Sequence, residues 1–207
     1  MFSQSNADAT VPALADIVGR YVSDLTLAGG QLLPVWLPTL PPPPAGWVIG
    51  QLEASQAPTR IALHPSVSGT AWDGCGVLNL FAFTGSVPRD VIEANTACTL
   101  RAVSADNLHS QPLLVPSRPG FDVAATSASG EFLMSGQRLR AQYTAYLLQA
   151  EEGSAAGDSK RNRRGGLVEH NAFITAEADP GTHRELTQMG DAVYEALKLA
   201  LTQVKPT

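Results

Sequence analysis

The apolar and polar positions of this chain alternate in ways that predict mostly strands, with a helix near each end. Leu14, Ile17, Val18, Tyr21 and Leu25 recur at helical spacing, so a helix is predicted from about Val11 to Leu25. Thr10 is its candidate N-cap, Pro12 falls in the tolerant first turn, and Gly29-Gly30 stop it. Residues 1–9 are polar and are expected to be disordered. Leu32 to Leu37 reads as an edge strand, confined there by Pro34 and Pro38, and Pro41 to Pro44 as a stiff polyproline spacer. Strands follow at Trp47 to Gln51 and Thr59 to His64, then a loop from Pro65 to Gly74. The next strand, Cys75 to Phe83, is apolar on both faces, with Val77, Phe81 and Phe83 on one and Leu78, Leu80 and Ala82 on the other. Such a strand has to be covered from both sides.

Gly85-Ser86 then opens a predicted helix carrying Val91, Ala94 and Cys98 on one stripe, with Pro88 in its first turn. From Phe121 to Ala178 the pattern is strand after strand. Ser135-Gly136-Gln137-Arg138 reads as a hairpin turn between Phe132–Met134 and Leu139–Tyr143. Leu139, Ala141, Tyr143, Ala145 and Leu147 alternate as one buried face. Residues 152–165 form a polar, glycine-rich loop that is expected to be flexible, and Leu167 to Thr175 returns as a strand. Thr182-His183-Arg184-Glu185 reads as a capping box, followed by the apolar stripe Leu186, Met189, Val193, Leu197, Ala200, Leu201 and Val204. The pattern predicts one α+β domain over residues 10–207, with layers above and below its central strand.

A net charge of −5 argues against a nucleic-acid partner, which calls for a basic face. No run of about 18 apolar residues suggests a membrane-spanning helix. The start, Met1-Phe2-Ser3-Gln4, has no leader pattern, so as written the chain is expected to be cytoplasmic; a truncated start would instead allow an exported or envelope protein.

Motifs for catalysis, metal or cofactor are wanting: no G-x-S-x-G elbow, no H-E-x-x-H, no G-x-G-x-x-G after a strand. We therefore expect no enzyme activity, no catalytic residue, no metal and no cofactor. Glu169 and His170 are neighbours on a strand and point to opposite faces. Cys75 and Cys98 are expected to be reduced, separately buried thiols. Counting along strand and helix from Thr84-Gly85 leaves them too far apart for a disulfide. Two features are candidates for binding. Lys160, Arg161, Arg163 and Arg164 form a basic cluster that could take an anionic partner, although a solvated loop tip is the plainer reading. Trp47 and Trp72, near strand ends, could line a pocket, although aromatics there more often plug the end of a core.

The order of landmarks resembles the LpqN-type lipoproteins of mycobacteria. The resemblance is carried by Ile17 to Tyr21, Pro44-Ala45-Gly46-Trp47, Ala82-Phe83-Thr84-Gly85 with Val91-Ile92-Glu93-Ala94, Pro119-Gly120-Phe121, Gln142-Tyr143-Thr144-Ala145 and the terminal helix. It implies a PsbP-like α/β/α sandwich and a non-catalytic protein that binds another protein or a cell-envelope component. The alternative is a small-ligand binder, for a lipid or metabolite, or a degenerate enzyme, with a pocket between sheet and helix.

Overall fold

In the computed structural model, residues 13–28, 40, 42–50, 58–66, 71–151 and 164–203 are described. Its centre is β4 (Trp72–Gly85), an unbroken strand of 14 residues. On one side β4 pairs with β8 (Arg164–Thr175) in antiparallel register from Gly74↔Ile174 to Thr84↔Arg164. Its other side is shared. β3 (Arg60–Pro65) takes the first half and β1 (Val22–Leu27) takes the second. The sheet continues from β8 through β7 (Gln137–Ala150) and β6 (Phe121–Met134) to β5 (Asp106–Pro112), and from β3 to β2 (Val48–Gly50). All these pairings are antiparallel.

Both faces of β4 are covered, as its two apolar faces require. Phe83 packs with Leu147 and Leu167 beneath α1 (Leu14–Val18) and α2 (Arg89–Asn95). α3 (Cys98–Ala102) extends that layer over Ala128 and Ala141. Leu78 and Leu80 face the other way, against Val193, Leu197 and Leu201 of α4 (Pro180–Gln203). The chain is thus an α/β/α sandwich with an antiparallel sheet. Leu147, Leu167 and Leu197 are fully buried, and each such side chain contributes roughly 1.5–3 kcal/mol of transfer free energy.

Several local expectations give way to tertiary structure. The first helix ends at Val18, and Val22 to Leu25, read as its continuation, belong to strand β1. Gly19 breaks the helix, and pairing of Val22 with Gly85 rewards extension of residues that are poor helix formers. The helix expected from Gly85-Ser86 through Cys98 begins at Arg89 and splits at Thr96-Ala97. There Asn95 Nδ2 donates to Val91 O and Thr96 Oγ1 to Ile92 O, side-chain bonds that compete with the helical ladder. Gln149, buried in β7, holds the lead-in to α2 by accepting from Val87 N and donating to Val87 O, each at 2.8 Å. The hairpin turn is tighter than expected. Ser135 (φ 51°) and Gly136 (φ 82°) alone form it, in the left-handed region that a two-residue turn demands, so Gln137 and Arg138 belong to β7. β8 starts at Arg164, inside the span read as loop. β5, whose residues are all exposed, has no apolar alternation to announce it. The edge strand expected at Leu32 to Leu37 lies outside the described residues.

The start of α4 also moves. Asp179, rather than Thr182, caps it. Its Oδ1 accepts from Gly181 N at 2.6 Å and Thr182 N at 3.3 Å, and its Oδ2 accepts from Thr182 Oγ1 at 2.6 Å. Pro180 then occupies the first helical position, where its missing N–H costs nothing. These hydrogen bonds hold the Asp179 carboxyl below its usual range. Asp179→Ala is expected to lower the melting temperature by roughly 2–4 °C, the usual effect of a lost cap in a chain this size, as read by thermal denaturation. No change would show that Asp179 is not the cap.

Candidate functional site

Registers across five strand pairs place one transverse row of side chains under α4. Arg60 lies opposite Leu78, Leu78 opposite His170, His170 opposite Thr144, Thr144 opposite Ser127, and Ser127 opposite Gln111. Residues directly opposite in a ladder share a face, so the row is polar except at Leu78. It splits the apolar packing of this face into two clusters. On one side Leu78, Leu80 and Val168 meet Val193 and Leu197; on the other Trp47, Ala62 and Ile174 meet Leu186.

His170 is the titratable member of the row that is buried beneath the helix, with 7% of its surface exposed. Two glycines flank it. A β-carbon on Gly190 of α4 would lie 3.6 Å from His170 Cε1 and Nδ1, and one on Gly76 of β4 would lie 3.7 Å from Nε2. No hydrogen bond reaches the ring among the described residues, and burial alone pushes its pKa down to about 4. It is therefore a neutral imidazole in an apolar setting at physiological pH.

Two cavities meet at this ring, one on each flank of α4. The first, about 350 Å³, lies between β3, β4 and α4 and is walled by Leu40, Pro42, Pro44, Ala62, Met189 and Val193, with Arg60 and His170 as its charged or titratable groups. Burial lowers the pKa of Arg60. The second, about 550 Å³, is more polar and opens toward Gln111, Arg140, Gln142, Thr144, His183 and Asp191. Tyr146 and Tyr194 stack beside it at 6.4 Å, and Tyr194 Oη donates to Leu114 O at 2.7 Å. A pocket between sheet and helix is present, therefore, but neither candidate tryptophan borders it. Trp47 is buried, its ring tilted against that of His64 with centroids 5.3 Å apart, and its Nε1 donates to Glu185 Oε2 at 2.9 Å. It plugs the end of the core near α4. Trp72 is 48% exposed at the start of β4.

The remaining candidates are scattered. Arg164 is exposed at the start of β8, opposite Thr84, while Lys160, Arg161 and Arg163 lie outside the described residues. Cys75 is half-buried on β4, where burial raises its pKa. Cys98 opens α3, its Sγ 3.8 Å from Thr99 Oγ1. Among the described residues no group of three His, Cys, Asp or Glu side chains could hold a metal ion, and no helix is long and apolar enough to cross a membrane.

Glu169, on the opposite face of β8, borders a small cavity of about 40 Å³ with Tyr143, Thr96 and Asn171. Asn79 Nδ2 reaches its Oε2 at 3.5 Å, but burial dominates and pushes its pKa up to about 7.

The architecture is that of an LpqN-like α/β/α sandwich. A solved structure of similar fold is LpqN of Mycobacterium tuberculosis, described as involved in cell envelope biogenesis. The two superpose with a TM-score of 0.55 over 90% of this chain and 96% of that one, at 12% sequence identity. At that identity the likeness is one of fold. No family model matches the sequence, and no curated protein does.

Glu169 and His170 give opposite pH dependences. Glu169 has a raised pKa, so its contribution to stability is complete below its ordinary 4.5 and is lost as pH rises through about 7. His170 has a depressed pKa, so its contribution is complete above its ordinary 6.5 and is lost as pH falls through about 4. Relative to the wild type, Glu169→Gln should gain stability as pH rises across the first window, and His170→Gln as pH falls across the second. Each gain should reach about 3 kcal/mol, from shifts worth about 1.4 kcal/mol per pH unit. Urea midpoints between pH 4 and 7 measure both. Curves parallel to the wild type would show that neither group is buried as described.

Proposed function

We propose that this protein is a non-catalytic binding protein that holds a small apolar component of the cell envelope between its sheet and α4. The observation that carries this reading is the cavity of about 350 Å³ walled by leucine, proline, methionine and valine side chains. Its size and apolar lining are those of a small-molecule site.

Binding without turnover is favoured by the state of His170. A general base works best with a pKa near the working pH and with a partner that orients it. His170 has a pKa near 4 and no orienting hydrogen bond among the described residues. The envelope as the source of the ligand is suggested by the role described for LpqN.

Decanol is a suitable neutral aliphatic probe. Ala192, half-buried on α4 at the cavity wall, is the position to fill. Decanol should raise the melting temperature of the wild type, because a ligand at 100 times its Kd adds about 2.7 kcal/mol. Ala192→Trp should fold and abolish that rise. If decanol stabilises the filled variant equally, the cavity is not where it binds.

A further inference from the structure

Glu169 lies on the face of the sheet opposite the two cavities, beneath α1, and is 7% exposed. Asn79 and Ala145 stand opposite it in the neighbouring strands. Its carboxyl has two donors among the described residues, the backbone N–H of Ala15 and Asn79 Nδ2, the latter at 3.5 Å. No cation among the described residues acts on it. Of the elements packed around it, α1 contributes the like charge of Asp16, and β7 the phenol of Tyr143, with the Cys98 thiol of α3 beside that phenol. α2 and α3 add the hydroxyls of Thr96 and Thr99. The cavity of about 40 Å³ alongside is walled in part by Ala13 and Leu14, at the start of α1.

We propose that α1 is a pH-released cover, seated on the sheet while Glu169 is protonated and lifting off when Glu169 ionises, which bares the apolar surface around Phe83 and Leu167. Ionisation places a charge in a layer of leucine, valine and phenylalanine side chains, and one amide with one backbone N–H does not offset it. Burial accordingly pushes the pKa of the carboxyl up to about 7. Water reaches the carboxylate most cheaply where the covering layer is weakest. β4, β7 and β8 are paired along both edges. α2 is tied to the sheet by the Val87–Gln149 bonds and by Arg89, which donates to Val123 O and pairs with Asp122. α1 has five residues, too few for a helix that stands alone. Apart from the Ala15 N–H, it is held by the packing of Leu14, Ala15 and Val18.

The lifted form ionises at the ordinary 4.5 and the seated form at about 7. The ratio of lifted to seated therefore rises about tenfold per pH unit between those values and levels off above them. Hydrogen exchange of the Asp16, Ile17 and Gly19 amides, which bond within this turn of chain, measures that ratio once corrected for the intrinsic rate at each pH. Between pH 5 and pH 7.5 their protection should fall roughly fiftyfold. It should stay below that of β8 at both pH values, because the central strands open only with the whole fold. Glu169→Gln should keep α1 seated and abolish the fall. Protection of α1 that is constant with pH, that equals the protection of β8, or that falls as far in Glu169→Gln would overturn the proposal. The wild-type comparison of α1 with β8 decides the matter even if the variant does not fold.

Discussion

Everything in this molecule depends on burying the β4–β8 ladder from both sides. The ladder runs from Gly74↔Ile174 to Thr84↔Arg164, and neither strand has a face that could be left to water. Phe83 and Leu167 look toward α1 and α2, while Leu78 and Val168 look toward α4. Removing either helical layer would expose apolar side chains across the middle of the sheet, so the sandwich is a consequence of the central strands. The same demand explains why β4 is so long. Its outer edge has to receive both β3 and β1, and the two share it end to end.

That constraint was legible in the sequence because it is written as two apolar faces on one strand. The terminal helix was legible for the same reason, a stripe repeated over many turns, of which Leu186, Val193, Leu197 and Leu201 are buried. What escaped was decided by partners distant in the chain. Val22 to Leu25 continues a helical spacing and yet belongs to a strand, because β4 offers it an edge. β5 is exposed throughout and carries no periodic signal, so only its pairing with β6 defines it. Asp179 was passed over as a cap because a serviceable Thr-x-x-Glu lies three residues on, although the Asp-Pro step is the stronger start signal.

The site was less legible than the fold. Arg60, His170 and Gly190 are far apart in sequence, and their meeting depends on two strand registers and one helix crossing. His170 reads as an ordinary strand histidine until its opposite number across β4 is known. The two tryptophans drew notice through size, but Trp47 is anchored to Glu185 and fills the core, while Trp72 stands at an exposed strand start. The signal that could have helped was the pair of glycines, Gly76 within an otherwise apolar strand and Gly190 within a long helix. Glycine in either place costs stability relative to alanine, and both lie against the His170 ring.

The polar, irregular character of β5 has a further consequence at the level of the molecule's company. A sheet built from strands of 14 residues would be a ready template for fibril growth if its margins were straight and apolar. One margin is β5, interrupted by a bulge between Asp106 and His109, with Asn107 at φ 51° and Pro112 at its end. Bulge, left-handed residue and proline each spoil the row of donors and acceptors that an incoming strand would need. The opposite margin, among the described residues, is β2, which spans only Val48–Gly50, and β1, broken by a bulge between Ser23 and Thr26. Among the described residues β4, β7 and β8 are paired along both edges and β5 covers β6 from Thr126 to Glu131, so most of the long strands' backbone is kept from a neighbour.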